Sequence, residues 1–599
     1  MWPFSTPYPV VKPPDIGSQT GFPSDSCGEH GHAAVYDYIV VGGEFIVHIP
    51  SIDLHPSVRI LLLERGGAVD TWASRVPLLS AAYMTPGSPI YRHPVTPMNN
   101  LDGRVVNMIR GKALGGGSRI NGMVYTRTFA ADYNRWSESG RKGWSYDEIE
   151  PFFIKSEGFL GPRTDGHGFD GPWKTRLFDR YFLKPTARCV DALKSMGIPV
   201  AEDINTPATP AIACGNLHAT IDRSGHRCST FDAFLPQTVA LDRRDRLKIC
   251  TGTAATSLRF EGNRIVGVSF FEELESGPEP GRNYYAHARR EVIVCCGAIG
   301  SPQLLMLSGI GPKAHLQERG IRVVKDLPGV GSNLEEHVGV STMYRVPLQD
   351  SFHYIRDRPL GAIQEFLKYL FKGEGLFLCP ITQIWVFLWS TLFEDDLTLL
   401  GKSKDPSQVD STSPENIPDI EIMPIAFNTT DSEVPIGTGI FSFLAVLLQP
   451  RSRGSVRLES NDPLYPPTCD LGFFTDPADR VLMRKAIRIS QRIAEQMQAE
   501  GYPMEDQNVP DSDSDADLDA FINKSYRTTF HYSSTCRMAP EDDTCPGVVD
   551  DRLRVHGVRN LRIADCSILP NILSNHLQAP AVMVAEKCTH MVLEDTPRT

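Results

Sequence analysis

Two short apolar stretches near the start of the chain, separated by a glycine pair, restrict the fold more than any other feature. Residues 36–41 read YDYIVV and precede Gly42 and Gly43, and residues 58–64 read VRILLLE. A strand, a glycine turn and a second strand that ends in an acid form the outline of a dinucleotide-binding βαβ unit. In such a unit the glycines approach phosphate and the acid, here Glu64, accepts hydrogen bonds from a ribose. The sequence therefore predicts a Rossmann-type nucleotide-binding domain.

The turn between these strands departs from the dinucleotide-binding pattern. Counted from Gly42, the third and sixth positions are Glu44 and Val47, where the pattern has glycine. A carboxylate at Glu44 repels pyrophosphate, and the residues that follow show no apolar helical period. Two hypotheses explain this departure. Either the protein has lost tight nucleotide binding, or residues 43–56 translate a stretch of the gene that should be spliced out. We favour the second because the flanks match so closely, and the transcript sequence decides between them.

Residues 110–127, RGKALGGGSRINGMVYTR, carry the second strong feature. Consecutive glycines allow positive φ angles and expose backbone N–H groups to a ligand, and short polar side chains follow them. The full string resembles the first signature of the glucose–methanol–choline (GMC) flavoprotein oxidoreductases, in which this segment lies along the FAD. The resemblance implies cofactor contacts at Gly115, Gly116, Ser118, Asn121 and Gly122.

Residues 291–312, EVIVCCGAIGSPQLLMLSGIGP, resemble the second GMC signature. A buried strand runs into Gly297, and a helix is predicted to begin near Ser301. A helix N-terminus after a glycine turn suits the binding of a dinucleotide. The run PGVGSNLEEH at residues 328–337 also resembles the family. By position, Ala255 falls where family members contact adenine through the backbone.

Two histidines near the C-terminus carry the expected chemistry. His531 opens HYSSTCRM, which resembles the family segment HPxGTxxM with Tyr532 in place of proline and Ser534 in place of glycine. The family's histidine at this position lies against the flavin and acts as the base. An imidazole, whose pKa is near 6.5, can accept the hydroxyl proton of an alcohol at neutral pH while hydride leaves the carbon. His576 matches the position of its partner, which orients the substrate oxygen or shares the proton.

Two further residues complete the expected cofactor contacts. Asp565, in LRIADCSILP, resembles the family acid near the flavin and its ribityl chain. Gln578 begins a predicted helix whose N-terminal amides would face the flavin's anionic pyrimidine side.

The resemblance covers roughly residues 36–587. It implies an α/β fold (α+β overall), with a Rossmann-type FAD-binding domain assembled discontinuously and a sheet-and-helix substrate-binding domain. The boundaries that we expect are an irregular arm over 1–35, the FAD-binding domain over 36–155, 216–337 and 526–599, and the substrate-binding domain over 156–215 and 338–525.

The implied function is FAD-dependent oxidation of a primary or secondary alcohol, with oxygen or another acceptor reoxidising the flavin. An aromatic-rich substrate domain suggests an apolar or aromatic substrate, as in secondary metabolite biosynthesis; its aromatic residues include Phe377, Trp385, Phe387 and Trp389. Two alternatives stay open. One is a non-redox lyase or cyclase that uses the histidine pair, with FAD structural or absent. The other is a non-catalytic remnant without flavin.

Composition narrows the remaining possibilities. A formal net charge of −12 opposes a nucleic-acid partner, since no positive field offsets phosphate repulsion. The 13 cysteines form no CxxC pair and the 16 histidines show no metal-ligand spacing, so no metal site is predicted. The most apolar run, residues 376–393, is interrupted by Pro380 and Gln383, which favours a buried strand and turn over a membrane span. The N-terminus has neither a basic n-region nor an apolar h-region, so we expect a cytoplasmic protein.

Overall fold

The computed structural model describes residues 8–19, 34–43, 57–68, 70–80, 88–206, 210, 212–273, 280–393, 409–430 and 432–596. Glu44 and Val47 lie outside these residues, so the two hypotheses about their segment stay open. The helices of the described residues are α1 (Pro13–Ile16), α2 (Trp72–Arg75), α3 (Pro77–Ser80), α4 (Ala130–Glu138), α5 (Tyr146–Ser156), α6 (Lys184–Ser195), α7 (Thr230–Phe234), α8 (Gln237–Asp242), α9 (Gly297–Leu307), α10 (Lys313–Glu318), α11 (His353–Asp357), α12 (Pro359–Lys372), α13 (Pro477–Ala499), α14 (Asp515–Ser525) and α15 (Gln578–Asp595).

The first large sheet contains the strands of the predicted nucleotide-binding unit. Its strands are β1 (Ser18–Gln19), β2 (Ala34–Val41), β3 (Ile60–Leu63), β12 (Leu247–Cys250), β13 (Thr253–Glu261), β14 (Arg264–Glu273), β15 (Pro280–Val294) and β26 (Leu561–Ile563). The main path is β12–β3–β2–β15–β14–β13, and β12, β3, β2 and β15 are mutually parallel. The carboxyl ends of parallel strands meet at one edge, which brings Gly42, Glu64 and Gly297 together.

The apolar runs form strands here because both faces of this sheet are covered. All four residues of β3 are buried, and β2 is buried from Tyr36 onwards. Strands that are buried on both faces carry apolar residues at successive positions, without the alternation of apolar and polar residues that a half-exposed strand shows. The VRILLLE and YDYIVV runs have this character. The hydrophobic core around them also takes in residues of α15, so the two termini of the chain share one core.

The second large sheet is mainly antiparallel. Its strands are β9 (Val200–Ala201), β10 (Ala213–Asn216), β18 (Val338–Val346), β19 (Ile384–Leu388), β20 (Ile420–Ile425), β21 (Gly439–Leu447), β24 (Glu505–Asn508) and β25 (Tyr526–Thr528). The path β24–β18–β21–β20–β19–β10–β9 packs against α13, whose apolar face is buried. The chain is thus a mixed α/β protein.

Four smaller sheets account for the remaining strands of the described residues. Their strands are β4 (Ile90–Pro94), β5 (Asn107–Gly111), β6 (Val124–Tyr125), β7 (Glu157–Phe159), β8 (Trp173–Leu177), β11 (His218–Ala219), β16 (Ile310–Gly311), β17 (Lys325–Asp326), β22 (Ser455–Arg457) and β23 (Thr468–Asp470). The paths are β6–β11–β8–β7, β4–β5, β16–β17 and β22–β23.

The most apolar run of the sequence is confirmed as buried strand and turn. Strand β19 lies within it and is buried at all five positions. Among the described helices, none combines the length and the apolar character needed to cross a membrane.

The aromatic residues that suggested a substrate wall belong instead to the hydrophobic core. Trp385 and Phe387 are 1% and 0% exposed on β19, Phe377 is buried in a separate cluster, and Trp389 packs against the core of the second sheet. These four residues therefore give no support to an apolar or aromatic substrate, because the sheet is covered on both faces and its aromatic side chains fill those layers.

Part of the stretch predicted as an irregular N-terminal arm is ordered structure. Residues 8–19 contain α1 and β1, and β1 pairs antiparallel with β15. The hydroxyl of Tyr8 donates to the carbonyl of Leu235 at 3.0 Å, and Ile16 is 1% exposed. An apolar side chain and a free strand edge on β15 explain why this segment packs against the first sheet.

Candidate active site

A long cavity of about 1640 Å³ is lined by residues of both large sheets. It contains two groups of predicted site residues. We call the first the glycine region, which includes Gly42, Gly43, Glu64 and Gly297. The second is the histidine region, which includes His531 and His576.

Glu64 holds the turn after β2 in place. Its Oε2 accepts from the backbone N–H of Gly43 at 2.7 Å, and its Oε1 accepts from the N–H of Gly66 at 2.5 Å. Burial raises the pKa of Glu64, while these two hydrogen bonds and the charge of Arg110 act in the opposite direction. Gly42 has φ +100°, and a Cβ there would lie 2.1 Å from the carbonyl oxygen of Cys295, so only glycine fits.

The glycine-rich segment after β5 forms a short 3-10 turn over Gly116–Arg119. Gly115 lies behind the cavity wall with φ 91°, and its N–H donates to the carbonyl of Gly43 at 2.8 Å. Ser118 Oγ donates back to the Gly115 carbonyl at 2.5 Å. Residues 116–118 and 120–122 line the cavity. Gly115 therefore supports the turn, and its neighbours present their backbone to the cavity.

Asp565 holds the start of α9. Its Oδ2 accepts from the N–H of Gly297 at 3.0 Å and from Ser301 Oγ at 2.6 Å, and its Oδ1 accepts from the N–H of Ser567 at 2.8 Å. Helix α9 consequently begins at Gly297, four residues before the predicted start, and residues 297–300 line the cavity. Asp565 is fully buried, and burial raises its pKa.

An unpartnered amide lies at the cavity wall where α15 begins. Asn121 Nδ2 donates to Gln578 Oε1, and Asn121 Oδ1 accepts from the N–H of Met123 at 3.1 Å. Gln578 Nε2 is buried, and among the described residues it has no hydrogen-bond partner. A buried donor without an acceptor is costly, so this side chain is suited to a bound acceptor.

His531 lies in the centre of a hydrogen-bonded histidine group. Its Nδ1 is 3.0 Å from His337 Nδ1 and 3.2 Å from Thr529 Oγ1, and its ring lies 4.8 Å from that of His576. Burial lowers the pKa of His531 well below the usual value, and the charges of His576 and His337 lower it further. Burial also lowers the pKa of His337 to about 3. Both rings are therefore neutral at neutral pH.

Two groups face Nδ1 of His531. His337 Nδ1 lies 3.0 Å away, and Thr529 Oγ1, which also contacts the carbonyl of His337 and Glu336 Oε1, lies 3.2 Å away. Where two Nδ1 atoms face each other, one donates and the other accepts. A hydrogen on His531 Nδ1 leaves its lone pair on Nε2, and this is the tautomer that a base acting through Nε2 requires.

The loop that carries His531 has left-handed backbone on both sides. Phe530 and Ser534 each have φ 68°. Ser534 stands at the position where the resembling family segment has glycine. A side chain at such a φ is strained by about 1–2 kcal/mol.

His576 has a carboxylate partner that sequence reasoning missed. Its Nε2 is 3.1 Å from Glu421 Oε1, and Glu421 is 1% exposed on β20. His337 was also missed, although it ends the PGVGSNLEEH run. The sequence did contain a signal for Glu421, which is the single acid inside the apolar strand IEIMPI. A carboxylate buried in such a strand needs a polar partner.

The residues along the cavity fit FAD, the cofactor that the sequence resemblance implies. The glycine region presents backbone N–H groups at a helix N-terminus, which suits pyrophosphate. Glu64 lies at the end of β3, where an adenosine ribose is expected, and Ala255 of β13 lines the same cavity. The unpartnered Gln578 amide suits an acceptor atom of an isoalloxazine ring.

Comparisons with known proteins agree with this arrangement. The chain matches the GMC oxidoreductase models over residues 36–339 and 450–585. It is 33% identical over 575 residues to the oxygen-dependent choline dehydrogenase of Burkholderia cenocepacia, covering 94% of each chain. It is 32% identical over 568 residues to that of Photobacterium profundum, again covering 94% of each.

Solved structures share the fold. The pyridoxine 4-oxidase from Mesorbium loti is 25% identical with a TM-score of 0.78, over 94% of this chain and 100% of that one. A formate oxidase at 24% identity has a TM-score of 0.82, over 94% of this chain and 98% of that one. This chain therefore belongs to the GMC oxidoreductase family, as an FAD-dependent enzyme that oxidises CH–OH donors.

Proposed function

We propose that this protein oxidises a neutral, largely apolar primary or secondary alcohol, with His531 as the base and His576 as its partner. The observation that carries the proposal is the pair of histidine rings, 4.8 Å apart, on the wall of the long cavity. Burial keeps the pKa of His531 low, so its ring is neutral, which is what a proton acceptor at neutral pH requires.

His531 Nε2 accepts the hydroxyl proton. When bound, FAD supplies the acceptor for the hydride that leaves the carbinol carbon. In this step the hydrogen on Nδ1 of His531 stays between that atom and its neighbours His337 and Thr529, so the ring keeps its orientation as the proton arrives. The cofactor would be held by Gly42, Gly43, Glu64, residues 116–118 and 120–122, Ala255, Gly297 and Gln578. Behind them, Gly115 supports the glycine-rich turn and Asp565 holds the start of α9.

His576 orients the substrate oxygen. To donate to that oxygen its Nδ1 must carry a hydrogen, and Glu421 is placed to accept from Nε2–H of the same ring and to balance its charge. Because Glu421 is buried behind the ring, its carboxylate acts on the substrate only through His576. Two oriented imidazoles on one wall then position the hydroxyl between them.

The charges on the cavity wall disfavour a cationic substrate. Among the described residues that line the cavity, the one carboxylate is that of Glu64, which already accepts two backbone hydrogen bonds in the glycine region. The same lining includes seven basic side chains: Arg65, Arg92, Arg104, Arg110, Arg356, Lys524 and Arg527. On β20 the alternation that turns Glu421 towards His576 also presents Met423 and Ile425 to the cavity, with Leu444 opposite Met423 on β21. A trimethylammonium group would meet an excess of positive charge along this lining, whereas an apolar group beside Met423, Ile425 and Leu444 would be desolvated favourably.

The experiment is an alcohol panel on the purified holoenzyme. The holoenzyme is mixed anaerobically with primary and secondary alcohols that carry aliphatic or benzylic groups, and bleaching of the flavin absorbance is followed. Choline is the charged alcohol for comparison. Repeating turnover under air and with an artificial acceptor distinguishes an oxidase from a dehydrogenase. Bleaching by apolar alcohols and not by choline supports the proposal. Preference for choline contradicts the substrate class. Product formation without bleaching indicates a lyase, and a colourless inactive protein indicates a remnant.

A further inference from the structure

A second group of ionisable side chains is buried outside the long cavity. It consists of His167, Asp203 and His218, with Glu157 and Arg127 beside them. His167, His218, Glu157 and Arg127 are buried, and the side chain of Asp203 is 24% exposed. None of these five residues lines the long cavity. The group therefore needs an explanation separate from alcohol oxidation.

Three potential ligand atoms converge at this place. His167 Nε2 is 2.6 Å from Asp203 Oδ2, and His218 Nε2 is 3.2 Å from Asp203 Oδ1. The two imidazole rings stack with an interplanar angle of 6°, so both present Nε2 to one carboxylate. One ligand atom from each residue lies within 4.8 Å of the others. Two imidazoles and a carboxylate on one side form a common ligand set for divalent transition metals.

His218 is not satisfied by the protein. It is 0% exposed, and neither ring nitrogen has a hydrogen bond of acceptable geometry. Its contact with Asp203 is short enough for an ion pair but is poorly directed for a hydrogen bond. Burying an imidazole without partners is costly. A ligand for its Nε2 would remove this cost.

The charges of the group also leave room for a cation. Arg127 Nη2 is 2.7 Å from Glu157 Oε2, and both side chains are fully buried. Two carboxylates, those of Glu157 and Asp203, therefore face one guanidinium. His167 has Glu157 Oε2 at 2.9 Å from Nδ1 and Asp203 Oδ2 at 2.6 Å from Nε2, so a hydrogen or a metal cation must lie between Nε2 and Asp203.

We propose that His167, Asp203 and His218 bind a divalent transition-metal ion, with Zn²⁺ the first candidate. Imidazole nitrogen and carboxylate oxygen are ligands that zinc prefers. Glu157 Oε2, 2.9 Å from His167 Nδ1, supplies the carboxylate that typically orients a ligating histidine. Tetrahedral ligands on zinc lie about 3.4 Å apart, so adjustments of roughly 1 Å complete the site. The partly exposed Asp203 provides the entry path and the open position.

Such an ion would join three segments that are far apart in sequence. His167 lies between β7 and β8, Asp203 follows β9, and His218 begins β11. The ligands come from separate segments with no motif spacing, which is why the histidine spacing in the sequence indicated no metal. A structural ion at this place stabilises the packing between the small sheet and the β9–β10 region, and the reaction does not need it.

The test uses the holoenzyme, stripped with a chelator and dialysed. Co²⁺ is titrated and its ligand-field absorption recorded, and Zn²⁺ binding is measured by calorimetry and by metal analysis. We expect one ion per chain. His218→Phe keeps an aromatic ring in the stack with Phe159 and His167, and it should weaken binding by about 100-fold or more while alcohol oxidation persists. His590→Phe, on an exposed histidine beside Glu594, should bind as the wild type does.

Asp203→Asn is the second variant, in case His218→Phe does not fold. Replacing the carboxylate by a neutral amide removes the negative charge of this ligand, so Asp203→Asn should also weaken metal binding. Added Zn²⁺ should raise the Tm of the wild type and leave that of Asp203→Asn unchanged. The proposal is overturned if the stripped wild type takes up no ion at micromolar Zn²⁺ or Co²⁺, or if folded His218→Phe or Asp203→Asn binds as tightly as the wild type. The group would then be an ion-pair network balanced by a proton on His167.

Discussion

His531 and His337 face each other through their Nδ1 atoms, 3.0 Å apart, with their ring planes nearly perpendicular at 88°. Only one of these atoms can carry the hydrogen. The tautomers of the two buried histidines are therefore coupled. A hydrogen on His531 Nδ1 directs the lone pair of His531 away from His337, at Nε2.

Removing the proposed base should abolish turnover without removing the cofactor. For His531→Ala we expect kcat/KM to fall by about 10²–10⁴-fold, the usual contribution of a general base. The flavin-to-protein ratio should stay at the wild-type value, since His531 lies in the histidine region. The control is His590→Ala on the surface of α15. Wild-type kcat/KM in His531→Ala would exclude His531 as the base.

The pH dependence should follow the lowered pKa of His531. The base form is the neutral ring, which exists above the pKa, so lowering the pKa moves the acidic limb of kcat/KM to lower pH. We expect this limb below 6.5, the value of free imidazole. The groups facing His531 are His337, His576 and the protonatable carboxyl of Glu336, whose pKa burial raises to about 8. A limb at or above pH 6.5, measured with a non-sticky substrate, contradicts the assignment.

Glu421 should act through His576. Glu421→Gln keeps an oxygen that accepts from His576 Nε2, whereas Glu421→Leu removes it. We expect kcat to fall by roughly 10-fold or more in the leucine variant and by less in the glutamine variant, with a changed pH profile in both. A purely structural role would lower Tm equally in both variants and leave kcat of the folded enzyme unchanged.

Glu64 should decide flavin retention. Glu64→Leu removes the acceptor of two backbone N–H groups, so the turn at Gly43 loses its support and the cofactor loses a polar contact. We expect the purified variant to carry substoichiometric flavin, while Glu64→Gln retains more. Flavin absorbance per protein measures this, and Glu261→Leu, at the exposed end of β13, is the control. Full flavin content in Glu64→Leu would show that the glycine region binds without this acid.

Ser534 should be a position where glycine stabilises the protein. Its φ of 68° is strained for serine, and its Oγ makes only a 3.3 Å contact with Ser533 Oγ. Ser534→Gly should therefore raise the free energy of unfolding by about 1 kcal/mol. Ser533→Gly, at a buried neighbour without positive φ, should lower it. Thermal unfolding of the two holoenzymes gives opposite shifts of Tm if this account is right.

The sequence allowed the parallel strands and the glycine turns to be predicted because local patterns specify them. At Gly42, the positive φ and the close approach to the carbonyl of Cys295 both require glycine, so the turn is recognisable from the sequence. The aromatic residues of β19 were misassigned because a strand buried on both faces shows no alternation that separates core from cavity.

Contacts between distant segments could not be predicted from the sequence. Glu421 meets His576 across 155 residues, and His337 meets His531 across 194. The residues next to each partner in the sequence give no indication of which distant residue it contacts. Asp565 illustrates the same limit, because the sequence resemblance predicted an acid near the flavin and only the structure gives its three hydrogen-bond partners.

The placement of β26 has a consequence for how the chain matures. Strand β2, at residues 34–41, lies parallel to β15 on one side, and β26 joins β15 at residues 561–563. A ribosome releases this strand only after it has made the long stretch of chain, residues 42–560, that separates β2 from β26. Closing such long loops slows folding and leaves strand edges exposed during synthesis. Flavin capture is thus a late event in the life of each molecule, and a chain truncated before β26 should emerge as an aggregation-prone apoprotein.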